Sequence, residues 1–534
     1  MAVRIIMKKL KNKIETFINR IIIDSQISML FSNLTIKDRK DKNIVIFSGI
    51  GKMYITPFEI LIYHLLRIKG YKLSYLIYNN DIPINELITK EVKDNIGAKK
   101  FWRREVNSSI HFLENANVKF EFISFDEHIF KSIKVKCPSK ISEVLTFKYD
   151  EIDFGGIVKG SLYRYYKSLS FDSDVYQIAL DILKVSISNY IEIKNRNEKS
   201  KIDLVLMSHG IYTTWESVVN YCEKMKINFV CYDRAKVKNS ININKNQNSP
   251  NWDFSAAWYR YQDRKLTSLE DGKVSLYLED RVLQKGDVYS YNFSEKESDI
   301  ELLKKRLNIP KHRKIITIFT NLIWDAANVS RDIAFKSPFE CIIKTIEHYT
   351  NNLNVQVVIR THPAEKVLGT KEQYGKLVKN YFDNELPDNV TIIEPEDKIN
   401  SFSIIELSDI GVVNTSTVGL EFAMAGKPIL LISETHYRNK GFTYDIQSDE
   451  DYFDTLTSLL NAMVLKNNQV ELARKYFYMM MFLYQKKTPI KYKEGQFIGY
   501  GKSSLLELGD DETMRVIINT IEYLDEKDDF VIWQ

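Results

Sequence analysis

Two short stretches of the sequence hold residues whose types and spacing suit the handling of a phosphate. In VVNTSTVGLEFAMAGKPILL, residues 412–431, an apolar run stops at Thr415, Ser416 and Thr417; Gly419 and Glu421 follow, and a Gly-Lys-Pro turn leads into a second apolar run. That pattern reads as a buried strand ending where a helix begins. The first amides of a helix have no partner inside it, and with the helix dipole they form an anion site. Ser416 and Thr417 would add hydroxyls to such a site, Gly419 would let a phosphate come close, and Glu421, one turn in, would accept from ribose hydroxyls. The plainer alternative is that Thr415 and Ser416 only cap the helix and that Glu421 is solvated.

The second stretch is RTHPAE, residues 360–365. Pro363 restricts the residue before it to extended geometry, which pins His362 at a strand end. Its imidazole could donate to the oxygen of a departing phosphate, with Arg360 adding charge. The loop TNLIWDAA offers Asn321, Trp324 and Asp325 at the same sheet edge. In the first half of the chain, SHGIYTTWES places His209 after a strand, and CYDRA places Asp233 and Arg234 after the next. Either His209 or Asp233 suits the general base that a sugar hydroxyl needs; the alternative is that each is a packed or ion-paired loop residue. In IDFGGIVKGSLYRYY, residues 152–166, the glycines predict a loop from which Lys159 and Arg164 would meet an anionic acceptor. Asp172 and Asp174 form an Asp-x-Asp pair, but they lie in a helical, sparsely apolar region and read as a solvated acidic face. No metal site is expected.

These residues need strand ends to hold them. The pattern predicts strands at NIVIFSG, YKLSYLIY, 118–124, 202–207 and 227–232, with helices between them. A second alternation of strand and helix runs from KIITIFT at 314 to PILLIS at 433. Strands separated by helical patterns imply parallel sheets covered on both faces, with ligands at the carboxyl ends of the strands. The expectation is an α/β protein of two Rossmann-like domains facing across a cleft. Residues 1–40 would form an N-terminal amphipathic helical segment, 41–300 the acceptor domain, 301–480 the donor domain and 481–534 a C-terminal helical extension. Within this scheme the polar stretch 236–300, including ININKNQNSPN, reads as the connection.

Bulk properties exclude several classes. The 534 residues are 44% hydrophobic and 27% charged, as in a folded globular protein. Four scattered cysteines without a CxxC pair indicate neither a zinc site nor a disulfide framework, and fit a reducing cytoplasm. A net charge of +5 with no basic, aromatic-interleaved patch argues against nucleic acid. No run of 18 apolar residues predicts a transmembrane helix. The segment MAVRIIMKKLKNKIETFINRIII is a basic amphipathic helix, suited to the inner face of the cytoplasmic membrane or to packing on its own domain.

Taken together, RTHPAE, the run IIEPEDKINSFSIIELSDIGVVNTSTVGLEFAMAGKPIL and the TN..WDA loop resemble the capsular-polysaccharide biosynthesis branch of the two-Rossmann (GT-B) glycosyltransferases, and SHGIYTTW and YDRA do so more loosely. The His-Pro and Ser/Thr elements are also similar to those of bacterial sialyl- and Kdo-transferases. The resemblance implies transfer of a sugar from a nucleotide-activated donor, CMP-linked in those relatives, to a surface glycan or glycolipid, with no metal and no cofactor beyond that substrate. It makes His362 a phosphate contact or leaving-group acid, protonated so that it replaces a metal's charge. Asn321, Arg360, Glu394, Thr415, Ser416, Thr417, Gly419 and Glu421 would then hold the donor. Where this family often has Asp-Arg-Gly, the chain reads Asp233-Arg234-Ala235, so that loop is expected to differ. Two other readings share the pattern: a polyol-phosphate transferase or nucleotide-sugar 2-epimerase, and a non-catalytic scaffold at a membrane surface.

Overall fold

The computed structural model describes residues 20–31, 41–50, 55–283, 296–325, 331–493 and 496–522. Most of the amphipathic stretch read at the N-terminus lies outside them. Its continuation, residues 20–31, is helical, and Ile23, Ile27, Leu30 and Phe31 are buried in the core of the first lobe.

The first lobe is built on the strands β1 (Asn43–Gly49), β2 (Lys72–Tyr78), β3 (Phe120–Ile123), β4 (Leu204–Ser208), β5 (Asn228–Arg234) and β6 (Ser240–Lys245). β1 pairs in parallel with β2 and β4, β2 with β3, and β4 with β5, while β6 runs antiparallel beside β5. All seven residues of β1 are buried, as a strand covered by helices on both faces must be. Among the covering helices are α1 (Phe154–Tyr166) and α2 (Tyr212–Met225).

The second lobe repeats the plan. Helix α3 (Ser268–Leu283) precedes the strands β7 (Lys314–Phe319), β8 (Val355–Arg360), β9 (Val390–Ile393), β10 (Ile410–Val413), β11 (Ile429–Leu431) and β12 (Tyr444–Asp445). They form one parallel sheet in the order β9-β8-β7-β10-β11-β12, so the strand order reverses between β7 and β10. Helix α4 (Val418–Met424) follows β10, and α5 (Gln469–Tyr478) packs on it. The chain then returns: β13 (Lys486–Lys487) pairs antiparallel with β6, and Phe497, Tyr500, Leu508, Met514 and Ile517 are buried in the first lobe's core. Two Rossmann-like sheets facing each other, the GT-B arrangement, are thus present.

Three local expectations give way. ININK is a strand, β6, rather than a loop; Ile241 and Ile243 are buried against the sheet, and Asn242 and Asn244 are also enclosed. IDFGGIVKG is not a loop either. Asp153 caps α1 by accepting from the Gly156 amide at 3.2 Å, and Gly155 is needed for contact, since a Cβ there would stand 2.2 Å from the Leu145 carbonyl oxygen. Residues 254–277, read as part of the first domain and its connection, share a core with the second: Phe254, Trp258, Val274 and Tyr277 pack with Phe319, Val358, Phe422 and Tyr476. At roughly 1.5–3 kcal/mol for each large side chain buried, four such anchors fix the segment to that lobe.

Candidate functional site

Where the strand order reverses, adjacent loops leave the sheet in opposite directions and open a crevice at the carboxyl ends of the strands. In the second lobe that point lies between Phe319 of β7 and Val413 of β10, which are register partners. A cavity of about 270 Å³ occupies it, lined by Phe319 at the end of β7 and Thr320 after it, Arg360 to Pro363 at the end of β8, Ser401, Ser416 to Val418, Glu421, and two residues from elsewhere, Lys236 and Arg281. His362, Arg360, Ser416, Thr417 and Glu421 of the sequence-read set are therefore brought together. Lys236, Arg281, Thr320 and Ser401 were not anticipated.

The turn before α4 differs in detail from a simple cap. Ser416 Oγ accepts from the Val418 amide at 3.3 Å, while Thr417 Oγ1 accepts from Lys236 Nζ at 3.0 Å. Thr415 faces the other way and accepts from Asn321 Nδ2, tying the loop after β7 to the loop after β10; neither residue lines the cavity. Gly419 serves packing rather than ligand approach. A Cβ there would stand 2.3 Å from Tyr437 Oη, and that hydroxyl donates to the Ser416 carbonyl. Gly419→Ala is accordingly expected to displace Tyr437 and cost about 1–3 kcal/mol of stability in a urea titration, with weaker nucleotide binding; a variant of unchanged midpoint would contradict this role.

Glu421 is not solvated. Its Oε1 is 3.0 Å from the Arg281 guanidinium, with side-chain exposures of 4% and 21% for Glu421 and Arg281. A ribose could reach only what this ion pair leaves free. Arg360 Nη1 donates to the Glu394 carbonyl at 2.8 Å, and Nη2 donates to the Ile399 carbonyl, so the guanidinium is fixed to the backbone. Burial is the main reason its pKa is lowered to about 10. The Glu394 carboxylate is elsewhere: it accepts from Lys379 at 2.6 Å and does not line the cavity.

His362 is positioned by its neighbours. Thr320 Oγ1 accepts from its amide at 3.1 Å, and its Nδ1 accepts from the Ala364 amide at 3.1 Å. The ring proton of the neutral imidazole is therefore on Nε2. Burial first, then the charges of Arg360 and Lys236, lower its pKa to about 4. The expected protonated imidazole is replaced by a neutral N–H donor in the open site.

The first lobe has its own reversal point, between β1 and β4, and the chain there is strained. His209, Gly210 and Tyr212 all have positive φ, at 49°, 78° and 64°. A bulky residue in that region stores strain, which clusters at functional turns. His209 stacks on Trp215 at 5.3 Å, its Nδ1 is 2.6 Å from Ser208 Oγ, and its Nε2 is 3.1 Å from Asp233 Oδ2. With both ring nitrogens engaged, the imidazole orients Asp233 rather than holding a free lone pair toward a substrate. Neither residue lines the second-lobe cavity.

Lys159 and Arg164 are on α1, not on a loop. Lys159 is exposed, 5.9 Å over the Tyr163 ring; Arg164 Nε donates to the Glu86 carbonyl at 2.9 Å, and its guanidinium lies 5.0 Å over Tyr212. Asp172 is 3.0 Å from Lys90 and 3.6 Å from Lys371, while Asp174 accepts from Tyr166 Oη, so the Asp-x-Asp pair is held in ion pairs and a hydrogen bond. Among the described residues no helix is long and apolar enough to cross a membrane.

Every element of the cavity except Lys236 lies between residues 255 and 478. Residues 255–478 match the family described as "Capsule polysaccharide biosynthesis protein". The matched residues include RTHPAE and the NTSTVGLEF run, so the resemblance read from them is shown for residues 255–478. No curated protein matches the chain. Similar solved structures include the beta-Kdo 2,4 transferase of Thermosulfurimonas dismutans KpsC, 12% identical, covering 58% of this chain and 88% of that one with a TM-score of 0.35. The beta-Kdo 2,7 transferase of the same protein is 17% identical over 60% of this chain and 89% of its own, TM-score 0.33. A UDP co-structure of S. aureus MnaA is 12% identical over 91% and 96%, TM-score 0.27.

Proposed function

We propose that the chain is a glycosyltransferase that moves a sugar from a nucleotide-activated donor to a surface glycan or glycolipid in capsule or lipopolysaccharide synthesis. The observation that carries this reading is the cavity of about 270 Å³ at the β7/β10 reversal point, lined by Lys236, Arg281, Arg360, His362, Ser416 and Thr417. Those are hydrogen-bond donors and positive charges, fixed before any ligand arrives. A leaving nucleotide gains negative charge as the bond to the sugar's anomeric carbon breaks, and preorganised donors stabilise that charge without reorganisation. His362 donates a hydrogen bond from Nε2 to the departing phosphate oxygen, and the cations offset its charge. In the opposing lobe, Asp233, oriented by His209, accepts the proton of the attacking acceptor hydroxyl. Lys159 and Arg164, on the same lobe, are the contacts for an anionic acceptor.

A thermal-shift screen against CMP, UDP, GDP and CDP, followed by transfer assays with sugar conjugates of whichever binds, tests this reading. One nucleotide should raise the unfolding temperature in proportion to the logarithm of its concentration, as a ligand of the native state does. The sugar conjugate of that nucleotide should then yield a glycosylated acceptor. Stabilisation by none of them, or an epimerised sugar or a transferred polyol phosphate as the product, would refute the assignment.

A further inference from the structure

The cavity holds more positive charge than the motifs that point to it. Lys236 belongs to the first lobe, two residues beyond β5, yet its ammonium donates across to Thr417 of the second lobe at 3.0 Å and lies 5.3 Å over the Trp252 ring. The groups facing it come from four other elements: Arg281 on α3, Glu421 on α4, His362 after β8 and His436 after β11. Among the lining side chains, Arg281 Nε and Arg360 Nε are buried and have no hydrogen-bond partner in the protein. Buried N–H donors of charged groups are costly to leave bare. Both belong to side chains that line the cavity, and together with Lys236 they make it a place for an anion.

We propose that Lys236 is the first lobe's phosphate ligand, completing with Arg281 and Arg360 an anion site built from both lobes for the phosphate of the donor. This rests on the donor reading above. The charges name the class of guest. Three cations against the single carboxylate of Glu421 leave two positive charges when Lys236 is protonated, which suits a dianionic phosphate: a nucleoside monophosphate leaving group or a diphosphate linkage. The histidines add none, because burial holds His362 and His436 neutral.

The arrangement couples binding to a proton. Burial first, then Arg281, lowers the Lys236 pKa to about 7, with Glu421 opposing. An arriving dianion favours the ammonium and raises that pKa. Below pH 7 the amine is already charged and affinity is flat; above pH 7 the complex must take up a proton, so affinity falls as pH rises, by at most about tenfold per pH unit.

Titration calorimetry with UDP, CMP and inorganic pyrophosphate at pH 8, in buffers of different ionisation heat, reads both affinity and proton uptake. The wild-type protein should bind a nucleotide with uptake approaching one proton. Lys236→Met should weaken binding about tenfold or more and abolish the uptake. Lys236→Arg, permanently charged, should bind with no uptake and a flat profile between pH 6.5 and 8.5, and it decides the matter if the methionine variant fails to fold. Unchanged affinity and uptake in Lys236→Met, or unchanged uptake in Lys236→Arg, overturns the proposal. Pyrophosphate binding that depends on Lys236, without binding of either nucleotide, sustains the anion site but removes the donor reading. No binding of any probe removes both.

Discussion

His362→Ala is expected to slow sugar transfer by roughly 10²–10³-fold, the range for losing one preorganised donor to a developing anion. Thermal unfolding should change little, because the side chain is half-buried at the cavity edge. The backbone amide of Ala364 holds Nδ1 as an acceptor, which puts the proton of the neutral ring on Nε2. His362→Gln, with a neutral amide N–H of similar reach, should retain part of the rate. The pH profile separates this mechanism from one based on imidazolium. Burial and the neighbouring cations hold the His362 pKa at about 4, so the ring stays neutral from pH 6 to 9 and contributes no fall in rate through that range. A rate of transfer in His362→Ala equal to the wild type, or a wild-type rate that climbs as pH falls through 6.5 and loses that climb in the variant, would contradict the neutral-donor role.

Arg281→Met is the second large effect. The substitution removes the ion-pair partner of Glu421, whose side chain is 4% exposed, and leaves only the charge of Lys236 to face it. Breaking a buried pair from one side costs about 3–5 kcal/mol, a large share of a typical folding stability of ~5–15 kcal/mol. The double variant Arg281→Met/Glu421→Gln should recover most of that stability, since no charge is left buried alone. Nucleotide binding should not return with it, because the guanidinium that lines the cavity is gone. Denaturant titration of both variants, with calorimetry on the double variant, reads the two effects separately. Full recovery of binding in the double variant would show that Arg281 acts only as a counter-ion.

Much of this architecture is legible because parallel strands buried on both faces must be written as near-continuous apolar runs, and their ends as polar or glycine-containing turns. KIITIF, VQVVIR, IGVV and ILL are such runs, and the carboxyl ends of the first three carry Thr320, His362, Ser416 and Thr417 to one crevice. What stayed hidden has physical causes. β6 alternates isoleucine with asparagine, a residue that signals loops, and only its place beside β5 explains why Asn242 and Asn244 are enclosed. The glycines of α1 look like a turn, but Gly155 permits close contact with the Leu145 backbone. Lys236 follows the Asp233-Arg234-Ala235 stretch directly, so a signal existed, but nothing local says that a lysine beyond that turn crosses to the other lobe. Arg281 gives no sign at all: it sits near the end of an ordinary amphipathic helix in a region that reads as a connector. Glu421 was found for a ribose, and its buried ion pair could not be foreseen without Arg281.

The measurement that bears most directly on the central claim is a crystal structure of the protein with the nucleotide that stabilises it. The phosphate should lie at the β7/β10 reversal point, within hydrogen-bond reach of the His362 Nε2, the turn at Ser416 and Thr417, and the guanidinium of Arg281. A phosphate bound instead at the strained His209 turn of the first lobe, with the second-lobe cavity empty, would contradict the account.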